Sequence, residues 1–218
     1  MAKTKKIPEA AERWALPARQ DRSRAMRTRL LAAAEITFEK QGYDGTRIAD
    51  IAEAAGCSVG AVYFRFKDKD ALFFAIAESF VADARARLAG LMDAEAGEDP
   101  RRIVREFVSR TAANFRAHKG MFRAIVERGF DHPLAMRTIL ELREEMAGAL
   151  ERSLRGPMKG KRATELTLAV RVLTQMIYGF LLTGVLNARA PTRIDDPRAV
   201  EEAATAMTAY LEAKGFLT

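Results

Sequence analysis

From residue 21 onward, apolar side chains return every three or four positions, the spacing that lays one apolar face along an α-helix. Leu30, Leu31, Ala33, Ala34 and Phe38 define the first helix, and Gly42 marks its stop. Thr46 is placed to cap a second, short helix with Asp50 in its first turn and Ile48, Ile51, Ala52 and Ala55 on its apolar face. Gly56 ends that helix. Ser58 then caps a third through Phe64, and Asp68 opens a long fourth helix carrying Leu72, Phe73, Ile76, Phe80 and Leu88.

The same rhythm continues after a loop at residues 94–100. It predicts helices over residues 101–116, 121–129 and 133–154, with a break at Lys119 and Gly120, then a basic Gly/Pro loop at 155–162. Two last helices, 163–188 and 197–213, flank a turn at 191–197. No run of alternating β-branched residues competes, so the expected fold is all-α with about nine helices. The helix at 163–188 is apolar around much of its circumference, and Gly179, Thr183 and Gly184 admit a close neighbour. Its stripe of Leu166, Val170, Leu173, Ile177, Leu181 and Val185, with Val200, Ala204, Met207 and Leu211 of the last helix, suits an interface with a second copy of the chain, the alternative being that both stripes face their own chain's core.

Composition narrows the class. A chain of 218 residues, 49% hydrophobic and 30% charged, makes one or two globular domains and excludes collagen-like or disordered chains. One cysteine, Cys57, allows no internal disulfide and is consistent with the cytoplasm; it is expected to pack as a small hydrophobe. Only His118 and His132 are available as imidazoles. No G-x-S-x-G, P-loop, dinucleotide glycine motif or paired metal-ligand spacing is present, so no catalytic residue, metal or cofactor is expected. The longest nearly apolar run, residues 176–186, has 11 positions, too few to cross a bilayer, so no membrane role is expected.

The formal charge of +7 is concentrated at one end. Residues 1–29 hold nine Lys and Arg against three acids, a balance of +6. Such an arm suits a polyanion, since each cation displaces counterions from phosphate, although a solvated tail has the same composition. Pro8, Pro17 and the lack of an apolar stretch speak against a signal or transit peptide.

The informative segment is residues 51–63. A helix-turn-helix needs a small residue where its helices meet, a glycine for the positive φ of the turn and a branched apolar anchor in the second helix. Ala52, Gly56 and Val62 supply them. With Val62 turned inward, a step of about 100° per residue points Gly60, Ala61, Tyr63 and Phe64 outward. Gly60 and Ala61 allow close approach to base edges, with Ser58 and Val59 at the helix start. Tyr63, Arg65, Lys67 and Lys69 are the expected phosphate contacts, together with the backbone N–H groups of Thr46 and Arg47. Phe66 is expected in the core.

In Leu31, Ala33, Ala34, Phe38, Gly42, Tyr43, Thr46, Ile51, Ala52, Ala55, Gly56, Ser58, Gly60, Tyr63, Phe66, Lys69 and Leu72, residues 28–74 resemble the DNA-binding domain of the TetR family of transcriptional regulators. The resemblance covers about a fifth of the chain; Cys57 and Arg65 depart from the residues frequent there. After the flexible basic arm at 1–20, which its weak periodicity marks, it implies a helix-turn-helix domain (21–70) and a ligand-binding and dimerisation domain (71–218). It further implies a homodimer, joined through the stripes of the last two helices, on a palindromic operator in double-stranded DNA, acting as a repressor released by a small-molecule effector. A mostly apolar effector would meet Phe73, Phe80, Phe107, Phe115, Met121, Phe122, Met176 and Tyr178, oriented by His118, Arg123 and Tyr178. For His118 the position equally allows a capping or a solvent-exposed role at a helix end, and His132, before Pro133, reads as a helix-start residue. Two other classes stay open: an architectural nucleic-acid-binding helical protein using only the arm, and a helical enzyme.

Overall fold

The structure, a computed structural model, describes residues 21–92, 99–128, 133–186 and 192–217. The expected arm, the tip of the 94–100 loop and His132 lie outside the described residues. Among the described residues there are nine helices and no strand: α1 (Asp21–Gly45), α2 (Ile48–Ala54), α3 (Val59–Tyr63), α4 (Lys69–Met92), α5 (Pro100–Ala117), α6 (Lys119–Arg128), α7 (Pro133–Arg155), α8 (Gly160–Leu186) and α9 (Pro197–Ala213).

Local chemistry accounts for several of the helix ends. Asp99 and Asp196 each accept the N–H two residues on, from Arg101 and Arg198, and a proline follows each as the first helical residue. The Asp68 carboxylate accepts from Ala71 N at 2.8 Å and starts α4 as its sequence position predicts. Gly42 takes φ 74° and breaks α1 before a last short turn, a conformation that favours glycine.

The expected break at Lys119 and Gly120 falls elsewhere. α5 ends on His118, and Gly120 lies inside the first turn of α6, where a Cβ would overlap the Glu35 carbonyl oxygen. This glycine therefore serves close approach: α6 lies directly on α1.

One continuous core runs through both halves, from Leu30, Phe38 and Ile51 to Leu166, Leu181 and Leu211. α4 crosses the expected boundary at residue 70; its first turn closes the α1–α3 unit and the rest packs against α5 and α7.

The expected dimer stripe is corrected by this core. Leu166, Val170, Leu173, Ile177 and Leu181 of α8, and Val200, Ala204, Met207 and Leu211 of α9, are all buried within their own chain. A second apolar face of α8 points outward: Leu168 is 66% exposed and Met176 64%, with Val172 between them. α8 is therefore apolar on two sides, and as a whole it is long and apolar enough to cross a membrane, which the 11-residue run understated. Only part of it is buried here, with Arg171 and Gln175 also on its exposed surface.

Candidate nucleic-acid interface

α1, α2 and α3 form the reading head, and its turns are built by named bonds. Gly56, at φ 62°, makes the turn between α2 and α3, and Arg29 of α1 reaches across to the Ala55 carbonyl at 2.5 Å. The Ser58 hydroxyl accepts from Ala61 N at 3.2 Å and caps α3. Ile51, Ala52, Val62 and Phe66 are buried beneath, and Cys57 packs part-buried against the same core, in agreement with its expected role.

α3 and its C-cap Phe64 present Val59, Gly60, Tyr63 and Phe64 to solvent, Phe64 at 65% exposure and Tyr63 at 50%. Ala61, expected outward, is only half-exposed. A Cβ added to Gly60 would meet nothing closer than the Ser58 hydroxyl at 3.9 Å, so this position is an open surface of bare backbone. Arg65 folds back along α3: it donates to the Ala61 carbonyl at 3.1 Å, and its guanidinium lies 5.5 Å from the Phe64 ring centre. Lys67 is exposed.

Three expected phosphate ligands have other partners. Thr46 does not cap α2; its hydroxyl is buried and donates to the Gly42 carbonyl at 2.6 Å, and its N–H bonds to Tyr43 O. The N-cap is Arg47, whose N–H is taken by the Asp50 carboxylate at 2.9 Å. The backbone donors of both residues are thus already satisfied. The Arg47 side chain stays exposed and pairs with Asp50 at 2.8 Å, a contact that holds the Asp50 carboxyl below the usual carboxylate range. Lys69 turns inward and donates to the carbonyls of Tyr43 at 2.7 Å and Thr46 at 2.8 Å, with its ammonium 4.3 Å from the Tyr43 ring. Burial pushes its pKa down. It ties α4 to the α1–α2 turn.

The residues expected around an effector divide into three groups. Phe80, Phe107, Phe115, Met121, Phe122 and Tyr178 are buried together in the larger half. Phe115 stacks on Phe122 at 4.1 Å, and Phe80 and Tyr178 meet this pair edge-on. Tyr178 points its hydroxyl at the Met146 sulfur, and burial raises its pKa. Phe73 instead packs with Tyr43 at the base of the reading head, and Met176 faces outward on α8. His118 and Arg123 form the third group. His118 caps the C-terminus of α5, one of the two helix-end roles its position allows, but is buried rather than solvent-exposed, between Glu35 of α1 and Asp83 of α4. Arg123 donates to the carbonyls of Glu39 and Lys40 and so caps α1 from α6.

Sequence reasoning missed Glu35, Glu127, Asn114 and Thr174. Glu35 accepts Met121 N at 2.9 Å, one of the unpaired donors at the start of α6, and Glu127 accepts Tyr43 N just after the Gly42 break. Asn114 Oδ1 and Thr174 Oγ1 are buried polar atoms without a hydrogen-bond partner in the larger half. No local pattern marks any of the four. A cleft of about 470 Å³ lies between α1, α6, α8 and the turn before α9, lined by Glu39, Lys119, Arg123, Glu127, Arg193 and Asp195 among others. It is ionic in character; Lys119 bonds Asp195 at 2.7 Å across it.

A short capped helix with one face exposed on a trihelical head, joined by a long helix to a larger all-α half, defines a helix-turn-helix DNA-binding protein. Residues 30–76 match the bacterial regulatory proteins of the tetR family, and residues 99–211 match the Tetracyclin repressor-like, C-terminal domain. The chain belongs to the TetR family. It is 30% identical over 82 residues to an uncharacterised HTH-type transcriptional regulator, YerO, of Bacillus subtilis, a match covering 38% of this chain and 28% of that protein. It is 33% identical over 89 residues to the HTH-type transcriptional regulator TtgR of Pseudomonas putida, covering 41% of this chain and 42% of TtgR. The chain therefore matches less than half the length of these relatives. Among solved structures, a TetR-family regulator from Mesorhizobium loti superimposes with a TM-score of 0.66 at 21% identity, covering 89% of this chain and 98% of that one. PfmR of Thermus thermophilus does so with 0.63 at 24% identity, covering 84% and 97%.

Proposed function

We propose that this chain is a cytoplasmic, homodimeric, ligand-responsive transcriptional repressor, a regulator and not an enzyme. The observation that carries the reading is the outward face of α3: Val59, Gly60, Tyr63 and Phe64 stand exposed on a helix whose other side is anchored in the core. An apolar and aromatic surface of this kind suits thymine methyl groups and the sugar-phosphate edge, while Arg47, Lys67 and the basic arm supply phosphate contacts. Tyr63 and Arg65 remain in the proposed contact set; the side chains of Thr46 and Lys69 leave it.

Dimerisation is assigned to the outward face of α8, through Leu168, Val172, Met176 and Gly179, with Tyr210 of α9 alongside. A Cβ at Gly179 would meet nothing within 4 Å, leaving room for a partner helix. A twofold axis through this face sets two α3 helices on a palindromic operator. A mostly apolar effector is assigned to the cluster of Phe80, Phe107, Phe115, Met121, Phe122 and Tyr178. Its rings pack on one another, so binding selects a conformation in which they part, and Asn114 Oδ1 and Thr174 Oγ1 offer polar partners to the ligand.

Selection of duplexes from a random library, followed by footprinting, tests the reading. A protected palindrome contacted by a dimer is the expected result. Uniform, sequence-independent protection would favour an architectural nucleic-acid-binding protein instead.

A further inference from the structure

His118 occupies the corner between α5 and α6, and both of its ring nitrogens meet carboxylates. Nδ1 lies 2.9 Å from Glu35 Oε1 and Nε2 lies 3.0 Å from Asp83 Oδ2. A neutral imidazole has one donor and one acceptor, so it can satisfy only one of these contacts; the imidazolium donates to both. Glu35 belongs to α1 of the reading head. Its second oxygen accepts Met121 N, so it is fixed to α6 twice over. Asp83 belongs to α4, whose first turn holds the α1–α2 turn through Lys69. One ring therefore joins the head, the long connecting helix and the sensor half.

We propose that His118, held between Glu35 and Asp83, is a positioning residue that fixes the reading head against the sensor half, so that operator affinity falls as the solution turns alkaline. The inference rests on the repressor reading above. The charged groups facing the ring are Glu35 from α1 and Asp83 from α4. Its charged neighbours along the chain are turned away: Arg116 donates to the Ile194 carbonyl and Lys119 pairs with Asp195. The Phe80 ring of α4 lies against it nearly at right angles, with 5.5 Å between ring centres.

Burial alone would push the His118 pKa down, but the hydrogen bonds and charges of Glu35 and Asp83 outweigh it and hold the pKa above 6.5. The sign follows from linkage. With a folded value above the unfolded one, the clamp contributes fully below about pH 6.5 and is lost as pH rises through the folded value. Loss of the proton leaves a ring lone pair facing a carboxylate. Asp83 is the partner released, because it is half-exposed while Glu35 stays bonded to Met121 N. α4 then loses this tether at its middle, while it stays packed on α5 and α7, and the head it carries is held less tightly in its orientation.

Two measurements on the full chain test this. NMR titration resolves His118 readily, since the chain holds two histidines and His118→Gln identifies the signal by its loss. The ring should stay doubly protonated above pH 6.5, and Asp83→Asn, which removes a half-exposed carboxylate and leaves the core intact, should lower its midpoint by about one pH unit or more. The second measurement is the affinity for a duplex recovered by selection, followed from pH 6 to pH 9. Wild type should lose about tenfold around the NMR midpoint, within the usual range of coupling between sites. His118→Gln should bind more weakly and show no such step. A ring that titrates at or below 6.5, or identical pH profiles for wild type and His118→Gln, overturns the clamp. A chain that binds no selected duplex at any pH would sink the repressor reading, and the NMR titration of wild type and Asp83→Asn would still decide the clamp.

Discussion

The carboxylate of Glu127, on α6, fills the space where a side chain at Gly42 would have to stand, and it accepts the N–H of the next residue, Tyr43. Gly42 is thus required twice, once for its φ of 74° and once for its missing Cβ. Gly42→Ala should lose about 1 kcal/mol or more from backbone strain alone, plus the displaced cap. Urea denaturation of the variant reads the loss, and an unchanged midpoint would contradict this geometry.

Lys69 and Lys67 are two residues apart and should behave differently. Lys69→Ala removes the donor for two carbonyls and should destabilise the fold by about 1–3 kcal/mol. Lys67→Ala should leave stability within about 0.5 kcal/mol and reduce the salt dependence of operator binding by about one unit of slope. Melting curves and a salt titration of both variants separate the roles.

The two faces of α8 give opposite outcomes for the same substitution. Met176→Arg, on the exposed face, should yield a folded monomer with weak operator binding. Leu181→Arg, fully buried, should fail to fold because an unpaired charge enters the core. Sedimentation and circular dichroism read both; a folded monomer from Leu181→Arg would return the interface to the buried stripe.

Thr174 carries a buried hydroxyl without a partner, so Thr174→Val should be neutral or stabilising by up to about 1 kcal/mol in the absence of effector. Under the proposed effector site it should also weaken the response to the inducing compound. A loss of more than about 1 kcal/mol would show that the hydroxyl has a structural role.

Much of the head was legible because its chemistry is local. Ser58 and Asp68 announce themselves as caps, and Gly56 and Val62 stand at the spacing their turn and anchor require. Apolar periodicity located the helices of the larger half to within a few residues. It does not say which neighbour covers a face, and on an α8 apolar on two sides it points to the stripe that the chain's own core covers. Nor could it find bonds between residues far apart in the chain. Glu35 and His118 are separated by 83 positions, and neither belongs to a local motif. Lys69 misled for a related reason: a lysine after a recognition helix has the composition of a phosphate contact, and only the packed turn shows it pointing inward.

The lacing between α1 and α6 decides which parts of this chain can be transplanted together. Glu35 ends on α6, Arg123 and Glu127 return to α1, and Gly120 lets the two backbones touch. A chimera that grafts residues 21–92 of this chain onto a foreign sensor would strip Tyr43 N and the Glu39 and Lys40 carbonyls of their partners at once. The transplantable unit is the head together with α6, although the two are not contiguous in sequence.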